Sequence, residues 1–270
     1  ILPELASRLH LKNIVTLTQS ALQSSKLNLQ DISAIAVSIN PGLVGSLIVG
    51  LAFAKGISWS LSLPLITVNH LLSHIFANFI EHKEITPPFL ALVVSGGHTE
   101  LVHFDTLTTF NVVGKTLDDA AGESFDKAAK LLGLGFPGGP VIDELAKSGN
   151  PAFIQFPRAL PQKNNFNFSY SGLKTAIRTW LIKQNPETLS KNLPDIAASV
   201  QQAIIEPLVN KTVLYAKQHK IPYILLAGGV AANSALRRQL TESAAKYGIK
   251  VFYPSLALCM DNAAMVAAAA

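Results

Sequence analysis

The sequence predicts a mixed α/β fold, with helices flanking sheets that carry both parallel and antiparallel strand pairs. Three observations predict it. Short continuous apolar runs alternate with longer runs of helical spacing, which is the pattern of βαβ units. Two of the apolar runs, residues 89–95 and 99–104, are joined by a turn around Gly96-Gly97 and read as a hairpin. Of the 270 residues, 49% are hydrophobic and 14% charged, which excludes disorder, and Cys259 is the single cysteine, which excludes a disulfide scaffold.

Residues 32–39 read as a strand, turned by Pro41-Gly42, and residues 43–61 as a glycine-softened helix. A short strand over 65–68 leads into a helix over 70–82. Pro88 then sets off the buried strand 89–95, its hairpin partner 99–104 and a further strand over 110–113. Residues 118–132 have helical spacing with acids in the first turn, where the helix dipole favours them. After Pro137-Gly138-Gly139-Pro140 the helix resumes over 141–147. An irregular stretch over 150–171 is rich in Phe, Asn and Pro. Helices are expected over 173–182, 196–219, 232–247 and 260–270, with strands at 221–226 and 251–253. The break at Thr86-Pro87-Pro88 gives the expected division: a first lobe over 1–88, a second over 89–255, and a helix over 256–270 returning towards the first.

No charged residue lies between Asp31 and Lys55, or between Lys55 and Glu81, and each gap exceeds the roughly 20 residues a bilayer span requires. Asn40-Pro41-Gly42 splits the first gap, and Pro64, Asn69, His70 and His74 make the second costly in hydrocarbon, so buried α/β layers are expected instead of a membrane span. The lone thiol fits a reducing cytoplasm. The chain opens on Ile1 with no signal-peptide pattern and closes on four alanines inside an apolar helical pattern, so it reads as part of a longer protein. Charge is uneven: residues 1–146 hold 8 Lys/Arg against 12 Asp/Glu, and residues 147–270 hold 14 against 5. The basic excess of the second part suits either a polyanion partner or a solvated face.

Several residues could carry chemistry. His70 and His74 are one helical turn apart, about 6 Å on one face, as two nitrogen ligands of one metal would be. Leu71-Leu72-Ser73 between them lacks the glutamate of the zinc-protease pattern. Two histidines call for a carboxylate from elsewhere, and Asp261 at the start of an uncharged helix is a candidate; its bland role is an N-cap or first-turn acid. Ser95-Gly96-Gly97-His98-Thr99 lies between two strands, where paired glycines let a phosphate approach backbone N–H groups, or simply make a hairpin turn. Gly228-Gly229 leads from a strand into a helix whose start attracts anions. Asp126 and Asp143 flank the Gly138-Gly139 loop, placed either to grip ribose hydroxyls or as solvated helix acids.

Together these segments resemble the bacterial tRNA adenosine threonylcarbamoyltransferases (TsaD) of the actin-like, sugar-kinase and heat-shock-ATPase superfamily. The matching stretches include Asn40-Pro41-Gly42, His70 through His74, Val94-Ser95-Gly96-Gly97-His98-Thr99-Glu100 and Thr116 through Lys127. Phe168-Ser169-Tyr170-Ser171-Gly172-Leu173-Lys174, Gly228 through Asn233 and Asp261-Asn262-Ala263-Ala264-Met265 continue them. The resemblance implies a two-lobed α/β fold with mixed sheets and a ligand cleft between the lobes. It implies a cytoplasmic transferase moving a threonylcarbamoyl group from threonylcarbamoyl-AMP to N6 of the adenosine 3′ of the anticodon, in tRNAs reading codons that begin with A. It further implies that His70, His74 and Asp261 ligate one divalent ion, iron, with zinc or magnesium as alternatives. Val93, Val94, Ser95, Gly96, Gly97, Asp126, Gly139, Asp143 and Asn233 match the family's nucleotide-substrate contacts. Expected partners are tRNA, a superfamily paralogue and a small ATPase. Relative to the family, a first strand and its acid-bearing turn are missing before Ile1.

Three other functions compete. A non-catalytic partner subunit of the same superfamily would bind no metal, which the retained His70 and His74 oppose. A metallopeptidase would need the absent glutamate. A small-molecule kinase would need an acceptor pocket that no segment marks out.

Overall fold

The computed structural model describes residues 2–162 and 164–270 of the chain. They divide into two compact units, one made of Ile1–Ile80 with Asn262–Ala270 and one of Glu81–Asp261.

In the first unit, α1 (Pro3–Ser25) starts with Pro3 at its first turn and carries the ion pair Glu4–Arg8 at 2.6 Å. This helix had no counterpart among the sequence expectations, because its mean hydropathy is near neutral and none of its residues is buried. It packs on α2 (Val44–Leu61), and a Cβ at Gly45 would meet Ser7 Oγ at 2.4 Å. The strands β1 (Ile35–Asn40) and β2 (Leu65–Asn69) form a parallel two-stranded sheet. Then come α3 (His70–Phe76) and α4 (Asn78–Glu81), where one helix over 70–82 was expected.

The expected burial of α2 is corrected: Ala54 is its one buried residue, and Trp59 is 89% exposed. A two-stranded sheet is too narrow to cover an 18-residue apolar helix. By length and composition alone α2 could cross a membrane.

The second unit is built on a five-stranded sheet in the order β5-β4-β3-β6-β7. The strands β3 (Phe89–Val94), β4 (Thr99–Phe104) and β5 (Phe110–Lys115) form an antiparallel meander, while β6 (Tyr223–Ala227) and β7 (Lys250–Phe252) run parallel to β3. All six residues of β3 are buried, as its unbroken apolar run requires of a central strand covered on both faces. Over the sheet lie α5 (Ala121–Leu131), α6 (Gly138–Ala146), α7 (Ser171–Ile182), α8 (Pro186–Lys191), the 26-residue α9 (Leu193–Gln218) and α10 (Ser234–Ala245). The short α11 (Leu256–Cys259) follows, and α12 (Ala263–Ala268) belongs to the first unit. The hydrophobic core joins Leu90, Leu92 and Val94 of β3 to Phe125, Ile142, Ile177 and Ile204 of the helices.

Two boundary expectations change for a stated reason. Asp118 precedes α5 instead of opening it, because its carboxylate is taken by the start of α7. Asp261 precedes α12 instead of capping it, because Asn262 is the N-cap and its Oδ1 accepts from Met265 N at 2.8 Å.

Candidate functional site

Helix α3 starts where β2 ends. Asn69 Oδ1 accepts from Leu71 N at 2.9 Å and Leu72 N at 3.2 Å, and Ser73 Oγ donates to Asn69 O at 3.1 Å. This double cap fixes His70 at the first position of the helix and His74 one turn on. Their rings lie 4.8 Å apart, centroid to centroid, at 71°. His74 is 3% exposed. Within the same unit α12 packs on α3 and β1, and Asp261 is joined to its N-cap residue Asn262. One ligand atom each from His70, His74 and Asp261 lie within 4.8 Å of one another. Two imidazole nitrogens and a carboxylate oxygen suit a borderline divalent metal, so the group is able to hold one.

The segment that leads to Asp261 is held by a residue that sequence reasoning missed. Arg237 donates from Nη2 to Pro254 O at 2.9 Å and to Cys259 Sγ at 3.1 Å, from Nε to Ala231 O, and stands 4.4 Å over the Tyr253 ring. Burial pushes the Cys259 thiol up against the opposing pull of that guanidinium, so this cysteine is a neutral packing residue. No motif marks Arg237; its role arises only because α10 lies against residues 253–259.

In the second unit the glycine loop follows β3. Ser95 N donates to His98 O at 2.8 Å and His98 N to Ser95 Oγ at 3.1 Å, which closes the turn. A Cβ at Gly96 or Gly97 would meet nothing within 4 Å, so open space stands before both. Helix α5 comes against the loop: Gly122 N donates to Ser95 O at 3.2 Å, and a Cβ there would lie 2.5 Å from that oxygen. At Gly228 (φ +89°) the backbone touches Val94 O, again at a distance only glycine permits. Val93 and Val94 are buried strand residues and present backbone only.

Asp126, Asp143 and Asn233 all cap helices. Asp126 Oδ1 accepts from Gly138 N at 2.7 Å, at the start of α6, where Gly139 faces open space. Asp143 accepts from Ser234 N at 3.0 Å and Ser234 Oγ at 2.9 Å. Asn233 Oδ1 accepts from Leu236 N at 2.8 Å, and its Nδ2 donates to Gln201 Oε1 at 2.7 Å. The structure therefore brings Asp143 and Asn233 together at the start of α10. Each carboxylate oxygen keeps a further lone pair for a hydroxyl.

Asp118 makes a dense polar knot. Its carboxylate accepts from Ser169 Oγ (2.5 Å), Tyr170 N (2.7 Å), Ser171 N (3.2 Å) and Ser171 Oγ (3.0 Å). Burial acts to raise its pKa, but these bonds outweigh it and hold the carboxyl below the usual carboxylate range. A groove of about 640 Å³ lined by Ile154, Phe156, Arg158, Gln202 and Glu206 contains none of the candidate residues, and its charges are already paired, Arg158 to Glu206 at 2.8 Å.

The fold and these residues define a mixed α/β protein with a metal-competent His/His/Asp group and open space before Gly96, Gly97 and Gly139. Residues 1–268 match the family model described as TsaD, tRNA N6-adenosine threonylcarbamoyltransferase, and the chain belongs to that family. It is 50% identical to the tRNA N6-adenosine threonylcarbamoyltransferase of Clostridium perfringens (strain SM101), over all of this chain and 80% of that protein. To the Kosmotoga olearia protein of the same name it is 49% identical, over 99% of this chain and 79% of that one. A crystal structure of full-length HypF, in a phosphate- and nucleotide-bound form, superposes with a TM-score of 0.68 at 15% identity. It covers 94% of this chain and 40% of its own, and shares the fold alone.

Proposed function

We propose that this chain transfers a threonylcarbamoyl group from threonylcarbamoyl-AMP to N6 of the adenosine 3′ of the anticodon, in tRNAs reading codons that begin with A. The carrying observation is the match to the family along essentially the whole chain, at about half identity to relatives of that name. In the transfer N6 bonds to the carbamoyl carbon, the bond from that carbon to the phosphate oxygen breaks, AMP leaves and N6 loses a proton. His70, His74 and Asp261 would hold a divalent ion, iron in our reading, which would supply Lewis-acid polarisation of the carbamoyl carbonyl. Ser95, Gly96 and Gly97 offer backbone N–H groups and open space to the adenylate phosphate, backed by Val93 and Val94. Asp126, Gly139, Asp143 and Asn233 line the approach of the ribose hydroxyls from helix starts that are already fixed. A superfamily paralogue and a small ATPase are the partners, and the protein works in the cytoplasm.

The geometry of the histidine pair favours this reading over a metal-free partner subunit. The test is metal analysis of wild type and His74→Ala, paired with transfer to unmodified tRNA. Wild type is expected to hold one ion per chain, and the variant to lose more than about a hundredfold in both affinity and transfer. Equal metal content and equal transfer in the variant would overturn the assignment.

A further inference from the structure

We propose that the outer face of α7, marked by Lys174 and Arg178, docks the phosphodiester backbone of the tRNA; this rests on the function proposed above. The helix buries Leu173 and Ile177 and turns Lys174, Thr175, Arg178 and Thr179 to solvent. Lys174 and Arg178 stand one turn apart, about 6 Å, and two hydroxyls beside them are further phosphate donors.

What distinguishes this face is the lack of any acid. Some cations on other helices sit beside an acid about one turn away, Arg8 with Glu4 at 2.6 Å, Lys127 with Glu123 at 2.9 Å and Lys147 with Glu144 at 2.5 Å, whereas others such as Lys12, Lys55 and Arg238 are exposed without an ion pair among the described residues. Helix α7 contains no Asp or Glu, and residues 145–186 hold six Lys/Arg and no acid at all. Within that stretch Lys147 and Arg158 find acids outside it. Among the described residues Lys174, Arg178 and Lys183 make no ion pair. Like charges at i, i+4 repel by a few tenths of a kcal/mol. A solvated face interleaves signs to relieve that repulsion; a polyanion relieves it here.

Placement agrees. Asp118 ties down the start of α7, Leu117 N donates to Phe168 O at 2.9 Å, and Gly122 N reaches Ser95 O. The start of α7 therefore stands at the end of the sheet that carries the glycine loop. The second cluster of cations, Lys217 in the last turn of α9, Lys220 just after it and Lys246 just after α10, lies where the chain enters β6 and β7. A five-residue strand spans about 17 Å, so those lysines lie that far down the sheet, and Lys217 sits 4.3 Å over the Tyr247 ring.

The experiment is retention of unmodified tRNA by the full chain between about 50 and 200 mM salt, where each phosphate contact contributes roughly 0.7–0.9 to the log–log slope. Lys174→Glu with Arg178→Glu is expected to cut the slope by about 1.5 and affinity at the low-salt end by more than about tenfold. Lys174→Gln with Arg178→Gln is expected to lose the same slope, and it decides the matter if the reversed pair melts early. Lys217→Glu with Lys220→Glu is expected to lose less than about threefold. Wild-type slope and affinity in both α7 variants, or an equal loss in the Lys217 pair, would overturn the proposal while leaving the function intact. Wild type that retains no tRNA at low salt would overturn both.

Discussion

The two compact units are packed to different degrees. In the larger one β3, the central strand of a five-stranded sheet, is buried along its whole length, and its Leu90, Leu92 and Val94 join a core shared with the helices. In the smaller, the buried described residues are Ala54, Val68, Ser73, His74, Ile75, Ala77, Asn78 and Met265, while Leu5, Ile48 and Trp59 are each more than half exposed. Sheet width accounts for the contrast, since two strands offer little area for two long helices to cover. Yet five of those eight lie within residues 73–78, on or next to α3. The small unit concentrates its packing around the helix that bears His70 and His74.

That comparison can be broken by substitution. The largest effect is expected at Leu92, fully buried in β3: Leu92→Ala should cost about 3–5 kcal/mol in chemical denaturation, whereas Ile48→Ala on α2, 58% exposed, should cost under about 0.5. Equal costs would refute the contrast. Next comes Gly122→Ala, where a Cβ would press on Ser95 O and Gly96 Cα, at 2.5 and 2.8 Å. Both contacts are backbone and cannot swing aside, so a loss of about 1–3 kcal/mol is expected, together with a displaced glycine loop detectable as weaker adenylate binding.

Asp118 sharpens the picture through pH. Its folded pKa lies below its unfolded value, so its contribution is present above the ordinary carboxylate range and is lost as pH falls through the lowered value. Asp118→Asn should therefore be less stable than wild type by about 1–2 kcal/mol at pH 7, with the gap closing as denaturation is measured towards acid. A gap independent of pH would assign the effect to packing. The smallest effect is expected at Gly56 in α2, where a Cβ meets nothing within 4 Å. Gly56→Ala should stabilise by up to about 1 kcal/mol in thermal melts, opposite in sign to Gly122→Ala.

Much of the second unit was legible in the sequence because its signals are local. The run over 89–95, the hairpin over 99–104 and the strand at 221–226 correspond to β3, β4 and β6 within a residue or two. Helix α1 was not legible, since a helix that buries nothing has no apolar stripe to show. The spacing of His70 and His74 was visible as a pair on one face, and their 4.8 Å ring separation follows from the cap that Asn69 places before them. Asp126 and Asp143 were visible as acids beside a glycine loop, but not as helix caps, because Gly138 N and Ser234 N reach them only through the packing of α5 on α6 and of α6 near α10.

By itself the sequence determined the mixed α/β class, the order of its strands along the chain and the family, because periodicity, turn residues and motif order are properties of neighbours. Only the tertiary structure decided which carboxylates are occupied and by what. Asp118 gathers donors from residues 51 to 53 positions away, and Arg237 holds the segment that leads to Asp261. Such bonds join groups that the chain separates and packing reunites, so no local pattern announces them.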